Sequence, residues 1–431
     1  MSLYGHVRKT TPNLDKLAEN GTVFENAYAM SSWTLPSMSM LLTGEYKGLA
    51  DPSILTSHFH VAESFSAAGF DTGAIVANPV LNETLHYQRG LDHFDVERTK
   101  AMKMRASEVV DKGLTWVDGR ADQEVPFFLW LHAVDPHYTY DPDGGPHFDP
   151  IPEAEALANA RLSLARDLED FPGSYPTDEL DDKAWAEIRR QRTLYDAEIL
   201  QFDAAMGGLV KSLEERGILD ETVIVVTSDH GEGLWDRTRN PDDPEREAFF
   251  PALYRRHGLM LENEQTHIPL MFHGPGVPRG ERRQLFTPHV DVVPTLQLLC
   301  NVPLLKALPG LPLFGSTADA DRGPLFSVCS RSHSVTVDER WRLHRPRKHR
   351  LKKAPVKSEL FDLVADPYEL HPIDDPERIL ELTKLIDEWS EAYSPVENME
   401  RLTRPQLDAL DALGYGGEIE LGNLPGAPGK K

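Results

Sequence analysis

The segment Thr222-Val223-Ile224-Val225-Val226-Thr227-Ser228-Asp229-His230-Gly231-Glu232 joins an apolar run to an acid–imidazole pair and a glycine turn. An apolar run of this length, bounded by turn residues, is typical of a strand that is buried on both faces. Helical patterns alternate with such runs, notably at Thr193–Arg216, where apolar residues repeat on one face before Gly217, a typical helix end. The other strand-like runs are Asp71–Ala77, Phe127–His132 and Ile268–His273. This alternation predicts an α/β fold in which helices flank a mostly parallel central sheet.

The pattern changes near residue 315, and this change predicts a second, smaller unit. Gly, Pro and small residues dominate Pro309–Arg322, and short strand patterns follow it at Leu325–Ser330, Trp341–Arg345 and Glu359–Asp362. We therefore predict a large domain over residues 1–315, a C-terminal α+β subdomain over 316–413 and a flexible tail over 414–431. The Pro- and acid-rich stretch Asp141–Asp182 is interpreted as a long insertion near the mouth of a site.

The charge balance limits the possible partners. The 431 residues include 45 Lys plus Arg and 69 Asp plus Glu, and the resulting net charge of −24 disfavours nucleic acid and anionic membranes. No apolar run is long enough to form a membrane-spanning helix, so we predict none. The main basic cluster is interpreted as a solvated hairpin rather than as an anion-binding patch. It comprises Arg342, Arg345, Arg347, Lys348, Arg350, Lys352 and Lys353.

A candidate nucleophile stands at the start of a short helical pattern. The segment from Ser32 to Gly44 begins with hydroxyl residues, carries Pro36 in its first turn and ends at a glycine. Thr34 would lie at the positive end of this helix, where backbone N–H groups favour an anionic nucleophile or a bound oxyanion. The alternative is that Thr34 is an ordinary helix cap. The local sequence leaves both interpretations open.

Asp229 and His230 are the candidate metal ligands. They follow the Thr222–Ser228 strand pattern, and catalytic groups of open α/β sheets gather at the carboxyl ends of strands. An aspartate with a neutral imidazole suits Zn²⁺ or Mn²⁺, whereas an oxygen-dominated site suits Ca²⁺ or Mg²⁺. The alternative is a turn-forming aspartate beside a surface histidine. We therefore expect a divalent metal ion whose identity the sequence leaves open.

Four histidines supply a third group of candidates, and each lies near a predicted strand end or turn. An imidazole in such a position can bind an oxyanion or protonate a leaving oxygen, because its pKa lies near neutral pH. Each histidine alone is consistent with a structural role, but together with the hydroxyl and the acid–imidazole pair they predict one joint site. We assign His137 and His257 to catalysis, and His132 and His267 to substrate binding.

Several short motifs occur in one order along the chain. They are Thr10-Thr11-Pro12-Asn13-Leu14-Asp15, the Thr34–Gly44 helix, Tyr87-Gln88-Arg89-Gly90-Leu91-Asp92-His93-Phe94, Asp135-Pro136-His137, Tyr195-Asp196-Ala197-Glu198, Thr227–Glu232, Ile268-Pro269-Leu270 with Gly274-Pro275-Gly276, and Glu359-Leu360-Phe361-Asp362. In this order the chain resembles the sulfatase family of the alkaline phosphatase superfamily, from Tyr4-Gly5 to about Tyr415. The resemblance implies an alkaline phosphatase-like fold and the hydrolysis of anionic esters.

The chain also departs from the family in three ways. In the family a Cys or Ser precursor of formylglycine stands at the position of Thr34, and an arginine stands at the position of Met38. The aldehyde hydrate used for sulfate-ester cleavage is therefore not expected, whereas threonine nucleophiles occur in phosphodiesterases, phosphonate hydrolases and phosphoryl transferases of the superfamily. Family members also open with a strand that carries acidic metal ligands before the Tyr4-Gly5 segment. We therefore expect an N-terminally truncated form of a once complete enzyme, whose catalytic domain lacks its first strand. The alternative is a degenerate protein that has lost this strand.

The sequence thus predicts a sulfatase-like hydrolase that cleaves sulfate or phosphate esters with a metal-activated Thr34 nucleophile. The expected substrate is an anionic ester, either a sulfated or phosphorylated small molecule or a glycan. Two alternatives remain. One is a phosphodiesterase or phosphotransferase of the same superfamily, and the other is a pseudoenzyme that binds anionic ligands without turnover.

Overall fold

The computed structural model describes residues 1–46, 59–98, 104–145, 147–149, 182–238, 253–329, 331–346 and 357–393. Its α-helices are α1 (Pro12–Ala18), α2 (Thr34–Thr43), α3 (Val61–Ala67), α4 (Ala106–Asp118), α5 (Asp182–Glu215), α6 (Asn263–Thr266), α7 (Val292–Leu299) and α8 (Pro376–Ala392). Its strands are β1 (Gly21–Tyr28), β2 (Asp71–Val76), β3 (His93–Val96), β4 (Phe127–His132), β5 (Ile224–Thr227), β6 (Gly233–Thr238), β7 (Leu253–Arg256), β8 (His267–His273), β9 (Glu281–Pro288), β10 (Leu325–Val328), β11 (Ser332–Val337), β12 (Trp341–Pro346) and β13 (Glu359–Asp362).

Two sheets form the centre of the larger part of the molecule. The strands β3, β2 and β4 pair in that order and are all parallel. The strands β5, β8, β1 and β9 form a mixed sheet, in which β1 and β9 are parallel while β8 is antiparallel to both of its neighbours. The predicted α/β class and its parallel strands are confirmed, and β8 adds antiparallel pairing that the apolar pattern did not reveal.

The hydrophobic core covers both faces of the mixed sheet. Leu270 and Phe272 of β8 pack with Leu35 of α2 on one face, and Met271 packs with Leu209 of α5 on the other. Successive side chains of a strand point to opposite faces, so helices cover β8 on both sides. Burying each of these side chains contributes roughly 1.5–3 kcal/mol, which explains why this strand is a continuous apolar run.

A separate antiparallel sheet lies in the C-terminal part, with the strand order β10-β11-β12-β13. Its inner face packs against α8, and the contact includes Val335, Leu343 and Leu360 from the sheet and Leu382 and Ile386 from the helix. The three short strands predicted here are present, and β11 between them was not predicted. The boundary near residue 315 stays a prediction, and the tail 414–431 lies outside the described residues.

The predicted solvated hairpin is wrong at Arg342. This side chain is only 2% exposed, and it donates from Nε to Thr336 Oγ1 at 2.8 Å and from Nη1 to Asn263 Oδ1 at 2.5 Å. Glu369 lies 3.4 Å from the same guanidinium and compensates its charge. A count of charges along the sequence cannot show such buried partners. Residues 347–353 of the basic cluster lie outside the described residues.

Most of the predicted insertion Asp141–Asp182 also lies outside the described residues, since only 141–145, 147–149 and 182 are described. Within the ranges given above, no helix is both long and apolar enough to cross a bilayer.

Candidate active site

Helix α2 carries the predicted nucleophile into the interior. It begins at Thr34, which is only 3% exposed, and it ends at Gly44, whose φ of 65° lies in the left-handed region. Thr34 is thus the first helical residue, and the residue in the cap position is Trp33. The Thr34 Oγ1 atom lies 3.1 Å from Nε2 of His230. The helix-cap interpretation of Thr34 is therefore wrong, and its role as the nucleophile stays a prediction.

Asp229 and His230 follow β5 and converge on the same hydroxyl. His230 Nδ1 lies 2.7 Å from the Gly231 carbonyl oxygen, so we assign the ring proton to Nδ1, which donates to that oxygen. The lone pair of Nε2 is then left to face Thr34, and Asp229 Oδ2 lies 3.4 Å from the same nitrogen. The Thr34 hydroxyl and an Asp229 carboxylate oxygen therefore both lie within 3.4 Å of the same imidazole nitrogen.

The turn that carries this pair is held by neighbouring elements. The Ser37 hydroxyl of α2 donates to the Asp229 carbonyl oxygen. The Gly231 N–H donates to the Gln265 carbonyl oxygen at 2.8 Å. A Cβ at Gly231 would lie 2.2 Å from the Glu264 carbonyl oxygen, so only glycine fits this close approach.

The electrostatics of the pair favour the forms that bind cations. Burial lowers the pKa of His230, which leaves the imidazole neutral near pH 7. Burial alone would raise the pKa of Asp229, but the imidazoles of His230, His132 and His257 lower it below its ordinary value. A neutral imidazole and an ionised carboxylate are the states in which these side chains bind metal ions.

The residues present fit a divalent cation in part. Asp229 and His230 offer one carboxylate oxygen and one imidazole lone pair, which suit two positions of a cation such as Zn²⁺ or Mn²⁺. Within the described part of the chain, no group of three or more His, Cys, Asp or Glu side chains is arranged to hold a metal ion. The metal therefore stays a prediction.

The two histidines assigned to catalysis lie beside this pair. The His257 ring centroid is 4.2 Å from that of His230 and 5.7 Å from that of His137. His257 Nδ1 faces both carboxylate oxygens of Glu232, at 3.3 and 3.4 Å. His137 Nδ1 lies 2.7 Å from the Tyr138 carbonyl oxygen, which fixes the orientation of its ring. Burial lowers the pKa of His137, so this imidazole is neutral at pH 7 until an anion binds.

The two histidines assigned to substrate binding have different surroundings. Burial lowers the pKa of His132 while the charge of Asp229 opposes the shift, so His132 lies near the predicted metal ligands. His267 Nε2 lies 2.6 Å from the Glu25 carbonyl oxygen, and its ring stacks on Tyr28 at 5.1 Å. These contacts hold His267 against β1. Both substrate-binding assignments stay predictions.

Sequence reasoning missed two groups near the site. Glu232 was part of the quoted motif, and its position three residues after Asp229 was the available signal for a carboxylate that faces His257. His289 is fully buried, and within the described residues neither of its ring nitrogens has a hydrogen-bond partner. Burial lowers the pKa of His289 to about 3, while the charge of Asp229 opposes the shift. No local pattern around His289 indicated such a position.

A cavity of about 1260 Å³ borders several of these groups, among them His132, His137 and Glu232. Its walls include Phe127–His132 of β4 and Thr222–Ser228 around β5, which are end strands of the two sheets as described. Thr34, Asp229 and His230 also line the cavity. Apolar side chains of the core, such as Leu209 and Val226, form much of the remaining lining, and Thr34 stands at its polar part.

Solved structures define the class of this fold. A protein solved in complex with its substrate D-glucosamine-2-N,6-O-disulfate aligns with a TM-score of 0.67 at 20% identity, covering 94% of this chain and 96% of that chain. The phosphonate monoester hydrolase of Agrobacterium radiobacter aligns with a TM-score of 0.67 at 17% identity, covering 91% of this chain and 93% of that chain. The fold is therefore alkaline phosphatase-like, as predicted.

Sequence comparison then identifies the family. The Sulfatase family model matches residues 1–302. Arylsulfatase K of Gallus gallus is 26% identical in an alignment that covers 87% of this chain and 77% of that protein. The chain belongs to the sulfatase family, a family of hydrolases that act on sulfate esters, and the predicted resemblance is confirmed.

Proposed function

We propose that this chain hydrolyses sulfate or phosphate esters with Thr34 as the nucleophile. The observation that carries the proposal is the 3.1 Å contact between Thr34 Oγ1 and His230 Nε2 at the start of α2. The Nε2 lone pair can accept the hydroxyl proton while no cation uses it, whereas a bound cation would lower the pKa of the hydroxyl so that its proton passes to solvent. The backbone N–H groups of Thr34 and Leu35 at the start of α2 can stabilise negative charge that develops on the reacting anion.

The proposed reaction has two displacements. The Thr34 oxygen attacks sulfur or phosphorus, the bond from that atom to the ester oxygen breaks, and a covalent ester on Thr34 results. His137 and His257 hold the anion, and one of them donates a proton to the leaving oxygen. Water then hydrolyses the Thr34 ester and releases inorganic sulfate or phosphate.

Asp229 and His230 are the residues that would hold a divalent cation. When bound, such a cation lowers the pKa of a nearby hydroxyl and neutralises charge on the anionic ester. His230 Nε2 lies 3.1 Å from the Thr34 hydroxyl oxygen, and Asp229 Oδ2 lies 3.4 Å from the same nitrogen. His230 therefore orients the nucleophile, and both side chains offer cation ligands.

A phosphorus ester is the second candidate substrate. Two observations favour it: Thr34 replaces the family's formylglycine precursor, and the alkaline phosphatase-like neighbours include a phosphonate monoester hydrolase. One experiment distinguishes the sulfate-ester candidate from the phosphorus-ester candidate. It compares turnover of an aryl sulfate, an aryl phosphate, a phosphodiester and a phosphonate monoester by the same preparation. The preferred ester is the one with the highest kcat/KM.

The test of the nucleophile is the substitution Thr34→Ala. We expect turnover of the preferred ester to fall at least about a thousandfold, because the group that forms the covalent intermediate is removed. Thr43→Ala is the matched control, since it deletes the same group at the other end of α2, where Thr43 donates to the Ser39 carbonyl oxygen at 2.7 Å. Thermal unfolding checks that both variants are folded.

Two outcomes would refute the proposal. Undiminished turnover in Thr34→Ala would exclude Thr34 as the nucleophile. If the unsubstituted protein turned over none of the four esters and showed no thermal shift with Zn²⁺, Mn²⁺, Ca²⁺ or Mg²⁺, the pseudoenzyme alternative would be supported instead.

A further inference from the structure

Glu198 of helix α5 is a buried carboxylate that holds the segment carrying His137. Its side chain is only 1% exposed. One oxygen, Oε2, accepts the backbone N–H of His137 at 3.1 Å, and the other, Oε1, accepts the backbone N–H of Asp141 at 2.7 Å. One side chain thus closes both ends of a five-residue segment. Glu198 belongs to the Tyr195–Glu198 motif, to which the proposed reaction gives no role.

The same segment is held from the other side by α4. Asp135 Oδ2 accepts the Ala106 N–H at 2.8 Å, and Asp135 Oδ1 lies 3.2 Å from the Arg105 guanidinium. Arg105 also lies 3.8 Å from Glu198, so one guanidinium partly compensates two buried carboxylates. The segment from Asp135 to Asp141 is therefore fixed between two helices by ionised groups.

The geometry requires a side chain with two acceptors and no donor. An ionised carboxylate accepts at both oxygens, whereas a glutamine amide has one acceptor and one NH₂ group. In either orientation that NH₂ group would face a backbone N–H, and one buried donor would lose its partner. Burial raises the pKa of Glu198 to about 7 although the Asp141 N–H opposes the shift, so the carboxylate form that accepts both N–H groups prevails above about pH 7.

We propose that Glu198 is the positioning residue for His137, because its two hydrogen bonds place the His137 imidazole where it meets the leaving oxygen of the ester. The inference rests on the proposed function. The ring orientation follows from the backbone, since His137 Nδ1 lies 2.7 Å from the Tyr138 carbonyl oxygen within the same segment. A shift of the segment therefore moves the ring relative to His257, whose centroid is 5.7 Å away.

The test compares Glu198→Gln with His137→Gln on aryl esters whose phenol leaving groups have increasing pKa. If Glu198 positions a proton donor, both variants should lose most kcat with the poorest leaving group, by roughly a hundredfold, and least with the best, while KM changes little. Glu198→Asp keeps two acceptors and should recover part of the loss. Glu187→Gln is the control, because Glu187 lies on the same helix but pairs with Arg190 near the surface.

A second readout does not depend on turnover. Hydrogen exchange of the backbone amides of residues 137 and 141 should be faster in Glu198→Gln and unchanged in Glu187→Gln. The inference is overturned if exchange is unchanged, or if Glu198→Gln lowers kcat equally for every leaving group while His137→Gln does not. If His137→Gln itself shows no dependence on the leaving group, the proposed role of His137 fails, and the exchange result then decides the positioning role separately.

Discussion

Replacement of Glu369 by glutamine should destabilise the protein strongly, because Glu369 is the central anion of a buried polar cluster. The side chain is fully buried. Its Oε1 atom lies 2.7 Å from His344 Nε2 and 3.4 Å from Arg342 Nη1, and its Oε2 atom accepts the Asn263 N–H at 2.7 Å. Glu369 thus joins β12 of the C-terminal sheet to α6, which lies next to the candidate site.

The size of the effect follows from the pKa of this carboxyl. Burial alone would raise the pKa of Glu369, but the charges of Arg342 and His344 lower it from 4.5 to about 2. A lowered pKa means that the ionised form stabilises the folded state above about pH 4.5, and that this stabilisation is lost as the pH falls towards 2. The difference between these two pKa values corresponds to about 3 kcal/mol of folding free energy. Removing one partner of a buried ion pair costs about 3–5 kcal/mol, which agrees with this figure.

Urea unfolding measures the prediction. Near neutral pH, Glu369→Gln should lower the free energy of unfolding by about 3–5 kcal/mol, and the gap to the unsubstituted protein should narrow as the pH falls below about 4.5. Glu388→Gln removes an exposed carboxylate of α8 and should change the same quantity by no more than about 0.5 kcal/mol. A loss below about 1 kcal/mol, or a gap that does not change with pH, would refute the reasoning.

Two further predictions concern the turn after β5. Gly231→Ala should lower both the thermal midpoint and turnover, because its Cβ would meet the Glu264 carbonyl oxygen, whereas Gly208→Ala, with nothing within 4 Å of its Cβ, should lower neither. Equal effects of the two substitutions would contradict the close approach. A divalent cation at a hundredfold excess over its Kd should stabilise the protein by about 2.7 kcal/mol. Asp229→Asn should abolish this shift and Asp220→Asn, at an exposed position, should retain it, and a shift that persists in Asp229→Asn would exclude Asp229 as a ligand.

The strands could be predicted where burial on both faces produces an uninterrupted apolar run. The bounds of β4 and β13 are those predicted from the sequence. The strand β1 was missed because Glu25 and Asn26 interrupt its apolar residues, and the register of β1 shifts at this point, between Phe24 and Ala27. The strand β9 was missed because it lies at the end of its sheet, where its first residues are charged and exposed.

The candidate site was only partly predictable, for a different reason. Thr34, Asp229 and His230 stand at the ends of regular elements, and chain topology brings such ends together. The contact of Glu198 with His137 spans 61 residues along the chain, and it depends on how α5 packs beside the segment after β4. No local pattern records such a contact, and the same holds for His289. The position of a residue at the end of a helix or strand predicted the side chains proposed for chemistry, such as Thr34. It did not predict the side chains that hold the site in place, such as Glu198.

The candidate site is also connected to the C-terminal sheet through buried charge. Arg237 of β6 donates to the Glu369 carbonyl oxygen at 2.8 Å, and its guanidinium pairs with the Glu264 carboxylate of α6. The next residue, Gln265, accepts the Gly231 N–H in the turn that follows Asp229. A continuous series of contacts therefore runs from the C-terminal part to the candidate metal ligands. Separating the two parts would remove the Tyr368 and Glu369 carbonyl acceptors of the buried Arg237 guanidinium, and each hydrogen bond to a charged group contributes about 1.5–3 kcal/mol. The site geometry therefore depends on residues beyond the 1–302 segment that the family model matches.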